Sequence, residues 1–480
     1  MFNKKHLLLF TFLLLCFLFL RIYNLPNTIK MFGDTARDLL TLERWHEAGK
    51  PPLLGPHTSA LSFNQSAWYF YFLYPFYLIS GGSFYTANLA VIFYYLFFFG
   101  LGWWLVKHQQ LNWRVFLTLL ALITFQPELI KQSRDVWNPS LVLPALLLAT
   151  YLLLNLKRQL RYRYILLLNL FLFFALGASY SVAPVILTFS AVATVLIYQK
   201  KQLRLKFRLY YLVGLVVSAI LSLVLVNIGT IFYEFRYDFL LTKNLGNQQV
   251  LQTSSDWLAK AIQLGQLIFA TNQVLIIVLF TLLFLLTFVF SLLPKFKPFF
   301  HRENLLVGTL LLSNVMFLLI LPFQIHAHYI FGILSLFFVY LSLLPTKLRL
   351  VFVSLLILSW LNSLLTQPIF EAVSPTLSER QTCLQQVCQK YPAQLYVVTN
   401  SASHDHQALG YEYLGQKINC QAISILNLPG KEPKYLAVFN ENTSFDQQKT
   451  DFYELNQFGQ RQHLARLVCS DQLSVEIFQH

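Results

Sequence analysis

Residues 274–293 read VLIIVLFTLLFLLTFVFSLL, a run with no charged side chain. About 20 residues of α-helix, rising 1.5 Å each, cross roughly 30 Å of hydrocarbon. A helix on a large soluble core shows a polar face every few residues; this stretch shows none. Residues 84–106 (FYTANLAVIFYYLFFFGLGWWLV) repeat the pattern. The chain as a whole agrees: of 480 residues 56% are hydrophobic and 12% charged, with a mean hydropathy of +0.54. A soluble domain carries roughly 25% charged residues. The sequence therefore reads as an integral membrane protein.

Working outward, spans are expected near residues 7–24, 84–106, 112–128, 139–156, 164–180, 182–199, 210–232, 272–293, 304–324, 328–344 and 350–366, which makes about eleven. The connections between them alternate in charge. One set holds Lys4/Lys5, Lys107/Arg114, Lys157/Arg158/Arg161/Arg163, Lys200/Lys201/Arg204/Lys206/Arg208, Lys295/Lys297/Arg302 and Lys347/Arg349, half of the 36 Lys and Arg, with one of the 21 acids, Glu303. The positive-inside rule places this set in the cytoplasm, with the N-terminus. The net charge of +15 is then a signature of topology and of anionic-lipid contact, not of nucleic acid. The first run, after Lys4 and Lys5, lacks a small-residue cleavage site and is followed by Arg21-Ile-Tyr-Asn-Leu-Pro. It is read as an uncleaved span in a cell (plasma or inner) membrane.

Two domains are expected: 1–366 as the membrane domain, including a long outer loop at 26–83, and 367–480 as an extracytoplasmic domain. Within the loop, Ala67–Ser80 (AWYFYFLYPFYLIS) is short and aromatic, as an interfacial helix is. The C-terminal segment is polar and alternating at Gln394–Thr399, Tyr435–Phe439 and Ser474–Phe478, expected strands, with a helix at His406–Lys417: a small α/β domain. Cys383, Cys388, Cys420 and Cys469 fall in it. Cys383 and Cys388, five apart on one expected helix, would pair with Cys420 and Cys469 rather than with each other; buried thiols are the alternative.

Chemistry-bearing residues gather in the outer connections. Gly33-Asp34-Thr35-Ala36-Arg37-Asp38 opens the first loop, and on a helix Asp34, Asp38 and Arg37 approach one face. Gly33 permits close backbone approach. The plain alternative is a helix start with a solvated ion pair. The next connection carries Glu128, Lys131, Arg134, Asp135, Trp137, Asn138 and Pro139; the third carries Glu234, Arg236 and Asp238; a fourth carries His326, His328 and Tyr329. Ionisable groups beside hydrocarbon are costly and line polar cavities or pair. Each alone also fits interfacial anchoring, and four on one side favour a shared polar cavity. Two histidines two apart make no clear ligand set, so no cofactor is expected, with a divalent metal as the alternative. Walker, GxGxxG, HExxH and GxSxG patterns are absent.

These parts, in this order, resemble the GT-C superfamily of membrane glycosyltransferases. They are most similar to the group of protein O-mannosyltransferases and aminoarabinose transferases, glycosyltransferase family 39-like. Asp34 stands where the family carries its catalytic Asp. Gly55-Pro56 with Trp68-Tyr69-Phe70-Tyr71 looks like the segment leading to its interfacial helices, and Arg134–Pro139 and His328-Tyr329 look like segments of bacterial members. Thr35 follows Asp34 where the protein mannosyltransferases have an Asp-Glu pair. The resemblance implies an all-α polytopic bundle of GT-C type bearing the small outer domain. It also implies transfer of a sugar from a polyprenyl-phosphate donor to a lipid, glycan or protein acceptor, with inversion. Asp34 would be general base, and Asp38 would act beside it by orienting the cations or the sugar; Arg37, Lys131, Arg134, Arg236 and His328 would hold the donor phosphate; Asp135, in the same orienting role, Glu234 and Tyr329 would be accessory. Three competitors stand beside this: a transporter or flippase of lipid-linked saccharides, which should carry midplane charges and matching halves; a polysaccharide ligase or polymerase, with its large loop late in the chain; and a ligand-binding membrane protein, which leaves the loop acids unexplained.

Overall fold

The computed structural model describes residues 4–30, 33–57, 64–200, 204–245, 256–294, 296, 300, 302–320, 325–392, 394–401, 407–424, 434–443, 458 and 461–479. Lys201, Lys295 and Lys297 of the basic set and His406 of the expected helix lie outside these residues. Two compact units emerge: residues 1–21, 51–76 and 88–368 form one, and residues 22–50, 77–87 and 369–480 the other. The segment carrying Asp34 thus groups with the C-terminal α/β segment.

The first unit is a bundle of apolar helices, and the chain is a multi-pass membrane protein. Among the described residues eight helices are long and apolar enough to span: Lys4–Ile22, Thr86–Lys107, Asn138–Arg158, Tyr180–Tyr198, Leu205–Val226, Val274–Leu292, Arg302–Ile320 and Thr346–Thr366. The pair Trp113–Phe125 and Pro127–Arg134, bent by 62°, makes a ninth when taken as one broken span. The remaining two of the eleven expected spans are shorter helices, Tyr162–Ala178 and Ala327–Leu343; at 1.5 Å per residue 17 residues fall a few ångströms short of roughly 30 Å. Val274–Leu292 turns much of its surface outward, with Leu275 80% exposed, a cost in water and none in lipid. The helix ending at Arg158 is instead the packed centre, its Leu146, Ala149, Leu153 and Leu156 fully enclosed.

The bend after Phe125 has a local cause. Pro127 has no N–H to give the Ile123 carbonyl, and the 62° bend that follows takes the Thr124 carbonyl out of the ladder too. Arg21, fully buried at the end of the first span, supplies them: Nη2 lies 2.9 Å from Ile123 O and Nη1 3.3 Å from Thr124 O. Its guanidinium also lies over the Phe17 ring at 3.8 Å. Gln126 then starts the next helix, its side chain accepting from Leu129 N at 2.8 Å.

In the second unit a mixed sheet runs in the order β4-β3-β5-β7-β6, from β3 (Leu395–Ser401), β4 (Ala422–Ser424), β5 (Tyr435–Glu441), β6 (Gln462–Ser470) and β7 (Leu473–Gln479). β3 pairs in parallel with β4 and β5, and β7 pairs antiparallel with β5 and β6. Tyr396, Val398, Leu436, Val438, Phe458 and Phe478 form its core. The helix Leu377–Lys390 begins at a capping box between Thr376 and Glu379. Both cysteines of this helix are in disulfides, Cys383 with Cys469 and Cys388 with Cys420. The helix Leu409–Lys417 starts three residues later than expected.

Candidate functional site

Asp34 lies in the first turn of the helix Gly33–Ala48, where a carboxylate is favoured by the helix dipole. Ala36, Leu39, Leu40 and Leu42 are buried and fix which face turns inward. Gly49, with φ +64°, ends the helix by donating to Trp45 O at 2.9 Å. Within this frame Arg37 holds two carboxylates: Nη1 lies 2.6 Å from Asp34 Oδ1, while Nη2 and Nε lie 2.8 and 3.0 Å from Asp38 Oδ1. The two acids differ in surroundings, since the Asp34 side chain is 50% exposed and that of Asp38 3%. Asp34 is therefore presented and Asp38 is a buried strut for its guanidinium. Arg37, expected at the donor phosphate, is engaged with its own helix.

The same helix is tied to the C-terminal segment of its unit. Glu43 accepts from Lys417 Nζ at 2.7 Å and from the Tyr77 hydroxyl. Burial pushes the Glu43 carboxyl up, and these two bonds, helped by the nearby His46, outweigh that and hold it below the usual carboxylate range. Arg44 pairs with Glu412 at 3.6 Å. Tyr413 donates to Gly82 O. Asn24 reaches Phe370 O at 2.8 Å and Val373 N reaches Asn27 O at 2.8 Å. Glu43 is visible in the sequence as a loop acid without a role; Lys417, 374 residues away, has no local signal.

In the membrane unit the structure brings the second and fourth connections together. His328 meets the Trp137 ring edge-on at 4.7 Å, with Tyr329 at 4.3 Å and His326 stacked at 5.7 Å. Trp137 donates to Gln132 Oε1 at 2.7 Å. Asn138 donates to Ala178 O at 2.5 Å and to Gln65. Gln65 belongs to β2 (Asn64–Ser66), which pairs with β1 (Leu54–His57) in a small hairpin. Gly55 is required there, because a Cβ would enter the Ser66 carbonyl. The Tyr180 hydroxyl closes on Asn64 O at 2.9 Å. Gln65, Gln132, Asn138 and Tyr180 carry this cluster, and residue type alone singles out only Asn138.

The expected cations are differently disposed. Lys131 is 38% exposed and pairs with Glu128 at 3.0 Å. Arg134 is buried, and its Nη1 lies 3.3 Å from Leu20 O. Asn88 donates to the carbonyls of Ser133 and Arg134 at 2.9 and 2.8 Å. Asp135 is half-buried and ends the helix, its N–H on Lys131 O at 2.8 Å. Arg236 is exposed, 5.6 Å from the ring of Tyr237. Glu234, expected as an accessory group, caps the helix Leu240–Leu245, accepting from Leu241 N, Thr242 N and the Thr242 hydroxyl. Among the described residues no three His, Cys, Asp or Glu side chains converge on a metal position.

The arrangement of helices and sheet can be compared with solved structures. A crystal structure of ArnT from Cupriavidus metallidurans bound to undecaprenyl phosphate aligns over 99% of this chain and 98% of its own, with a TM-score of 0.58 and 11% identity. The chain has the ArnT fold. The apo structure of ArnT aligns over the same shares, with a TM-score of 0.58 and 12% identity. No protein-family model matches the sequence, and no curated protein matches it. The likeness to ArnT is one of fold over nearly the whole chain, at 11–12% identity.

Proposed function

We propose that this chain transfers a sugar from a polyprenyl-phosphate donor to an acceptor hydroxyl, with Asp34 as general base. One observation carries the reading: a half-exposed carboxylate, fixed by Arg37, begins a helix of a chain whose fold is that of an enzyme crystallised with undecaprenyl phosphate. A lipid-phosphate sugar has a good leaving group, so the protein must deprotonate the acceptor and receive the departing charge. The acceptor O–H proton passes to Asp34, the oxygen bonds to the anomeric carbon, and the bond from that carbon to the phosphate oxygen breaks. Attack opposite the phosphate inverts the centre. Arg37 orients Asp34, and buried Asp38 fixes Arg37. Lys131 and Arg236, the more exposed of the expected cations, are assigned to the phosphate, with His328 an additional donor; Arg134 supports the helix end beside them in sequence. The apolar bundle accommodates the prenyl tail, which gives so many spans a purpose. The alternation of basic and acidic connections supports an extracytoplasmic position for Asp34 and the C-terminal domain.

The test is purified protein in liposomes, given radiolabelled polyprenyl-phosphate hexoses and pentoses with lipid, glycan or peptide acceptors. Protein-dependent release of polyprenyl phosphate, matched by label on one acceptor class, is expected. Movement of intact donor between leaflets without bond cleavage would replace the transferase with a flippase.

A further inference from the structure

The membrane unit contains a cavity of about 240 Å³ that the proposed chemistry does not use. Its position follows from helix direction. It is lined by the later parts of Thr86–Lys107 and Val142–Arg158, by Trp113–Phe125 from Val115 to Ile123, by the first turn of Arg302–Ile320 and by the end of Phe331–Leu343. The Trp137–His328 cluster precedes Val142 and Phe331, at the opposite ends of two of these same helices. The cavity and the cluster therefore belong to opposite ends of the bundle.

The walls and the mouth differ in chemistry. Leu101, Phe116, Leu119, Leu147 and Val339 make the interior apolar, and an apolar cavity takes hydrocarbon in preference to water. At the mouth stand Asn112, Asn155, Arg158 and Glu303. Arg158 is 56% exposed, with Nε 3.5 Å from Glu303. Lys157 donates to Arg302 O at 2.9 Å, and Arg114 reaches Thr346 Oγ1 at 3.5 Å. Arg158 and Glu303 are the charged residues of the lining, and Arg114, Lys157 and Arg302 stand next to lining residues in sequence, so the charge around this end of the cavity is positive. A hydrocarbon slot beneath a cationic rim fits an amphiphile with an anionic head.

We infer that this cavity binds one acyl chain of an anionic glycerophospholipid, its phosphate at Arg158. The inference stands whether or not the chain is a transferase. Since the donor phosphate is assigned to the other end of the bundle, a prenyl phosphate here is the competing occupant.

Native mass spectrometry of the delipidated full chain, with dioleoylphosphatidylglycerol, dioleoylphosphatidylcholine or undecaprenyl phosphate added singly, tests it. One phosphatidylglycerol should be retained per chain, about fivefold more than phosphatidylcholine. Leu119→Trp and Leu101→Trp, which fill the cavity from two walls, should abolish retention. Arg158→Gln should erase the preference while leaving the fold intact, and it decides the matter if neither tryptophan variant is monodisperse. Equal retention of both phospholipids by the wild type, an unaltered preference in Arg158→Gln, or retention of undecaprenyl phosphate that Leu119→Trp and Leu101→Trp abolish overturns the inference.

Discussion

Arg37 bridges two carboxylates at 2.6 and 2.8 Å, a task for a planar fork rather than an ammonium group. Arg37→Lys keeps the charge and loses the bridge. Sugar transfer should then fall roughly 10- to 100-fold through misorientation of Asp34, with donor binding unchanged. Unchanged turnover would show that Asp34 needs no orienting partner. Glu43 gives a pH dependence with a definite sign. Its folded pKa is depressed, so the stability it contributes is present above the ordinary carboxylate value of about 4.3 and is lost as pH falls through the lower folded value. The groups facing it are Lys417, Tyr77 and His46. Glu43→Gln should therefore lower stability by about 1–2 kcal/mol at pH 7, and the gap from wild type should close in acid. A gap independent of pH would mean that packing, not charge, is lost. Arg21→Met leaves the Ile123 and Thr124 carbonyls without donors and should cost roughly 1–3 kcal/mol, read as a lower melting temperature in detergent. The reach of sequence reasoning is visible in these three residues. Arg37 sits one and three positions from its partners, and helix geometry alone brings them together. Glu43 is held by a lysine far along the chain, and Arg21 reads only as the charge that ends a span.

At the scale of elements, hydrophobic runs and alternation carry the reading. Val274–Leu292 and Thr86–Lys107 are helices within a residue or two of the expected spans, because a run without charge has no other solution in lipid. The strands at 395–401, 435–441 and 473–479 likewise follow their alternation. The bend at Gln126–Pro127 is not legible as a direction, although the proline marks where it falls; its angle depends on Arg21 from another helix. The grouping of Gly33–Ala48 with Leu409–Lys417 is not legible either, since it rests on Glu43–Lys417 and Arg44–Glu412. The cysteine pairing is open in the sequence between bridges and thiols, and the structure joins Cys383 to Cys469 and Cys388 to Cys420. Closing loops of 86 and 32 residues is worth on the order of 3–5 kcal/mol each. Reduction should lower the melting temperature of the C-terminal segment in oxidised protein, followed by tryptic cleavage within 370–480. Protease resistance equal in both redox states would contradict this.

At the scale of the molecule, two features converge that neither residues nor elements contain. Along the sequence, connections rich in Lys and Arg alternate with connections that carry the carboxylates. The path of the chain matches ArnT over 99% of its length at 11% identity, which means that helix order and packing persist where side chains do not. On the proposed reading the apolar helices hold the prenyl tail of the donor, and the chemistry falls to the few polar groups beside them. Asp34 is the group on which the account turns. The deciding measurement is single-turnover sugar release from a polyprenyl-phosphate donor by wild type, Asp34→Asn and Asp34→Glu in liposomes, with donor binding measured in parallel. Asp34→Asn should bind the donor as wild type does and turn over roughly 10²–10⁴-fold more slowly, the contribution of a general base, with Asp34→Glu between them. Turnover by Asp34→Asn at the wild-type rate would contradict the account.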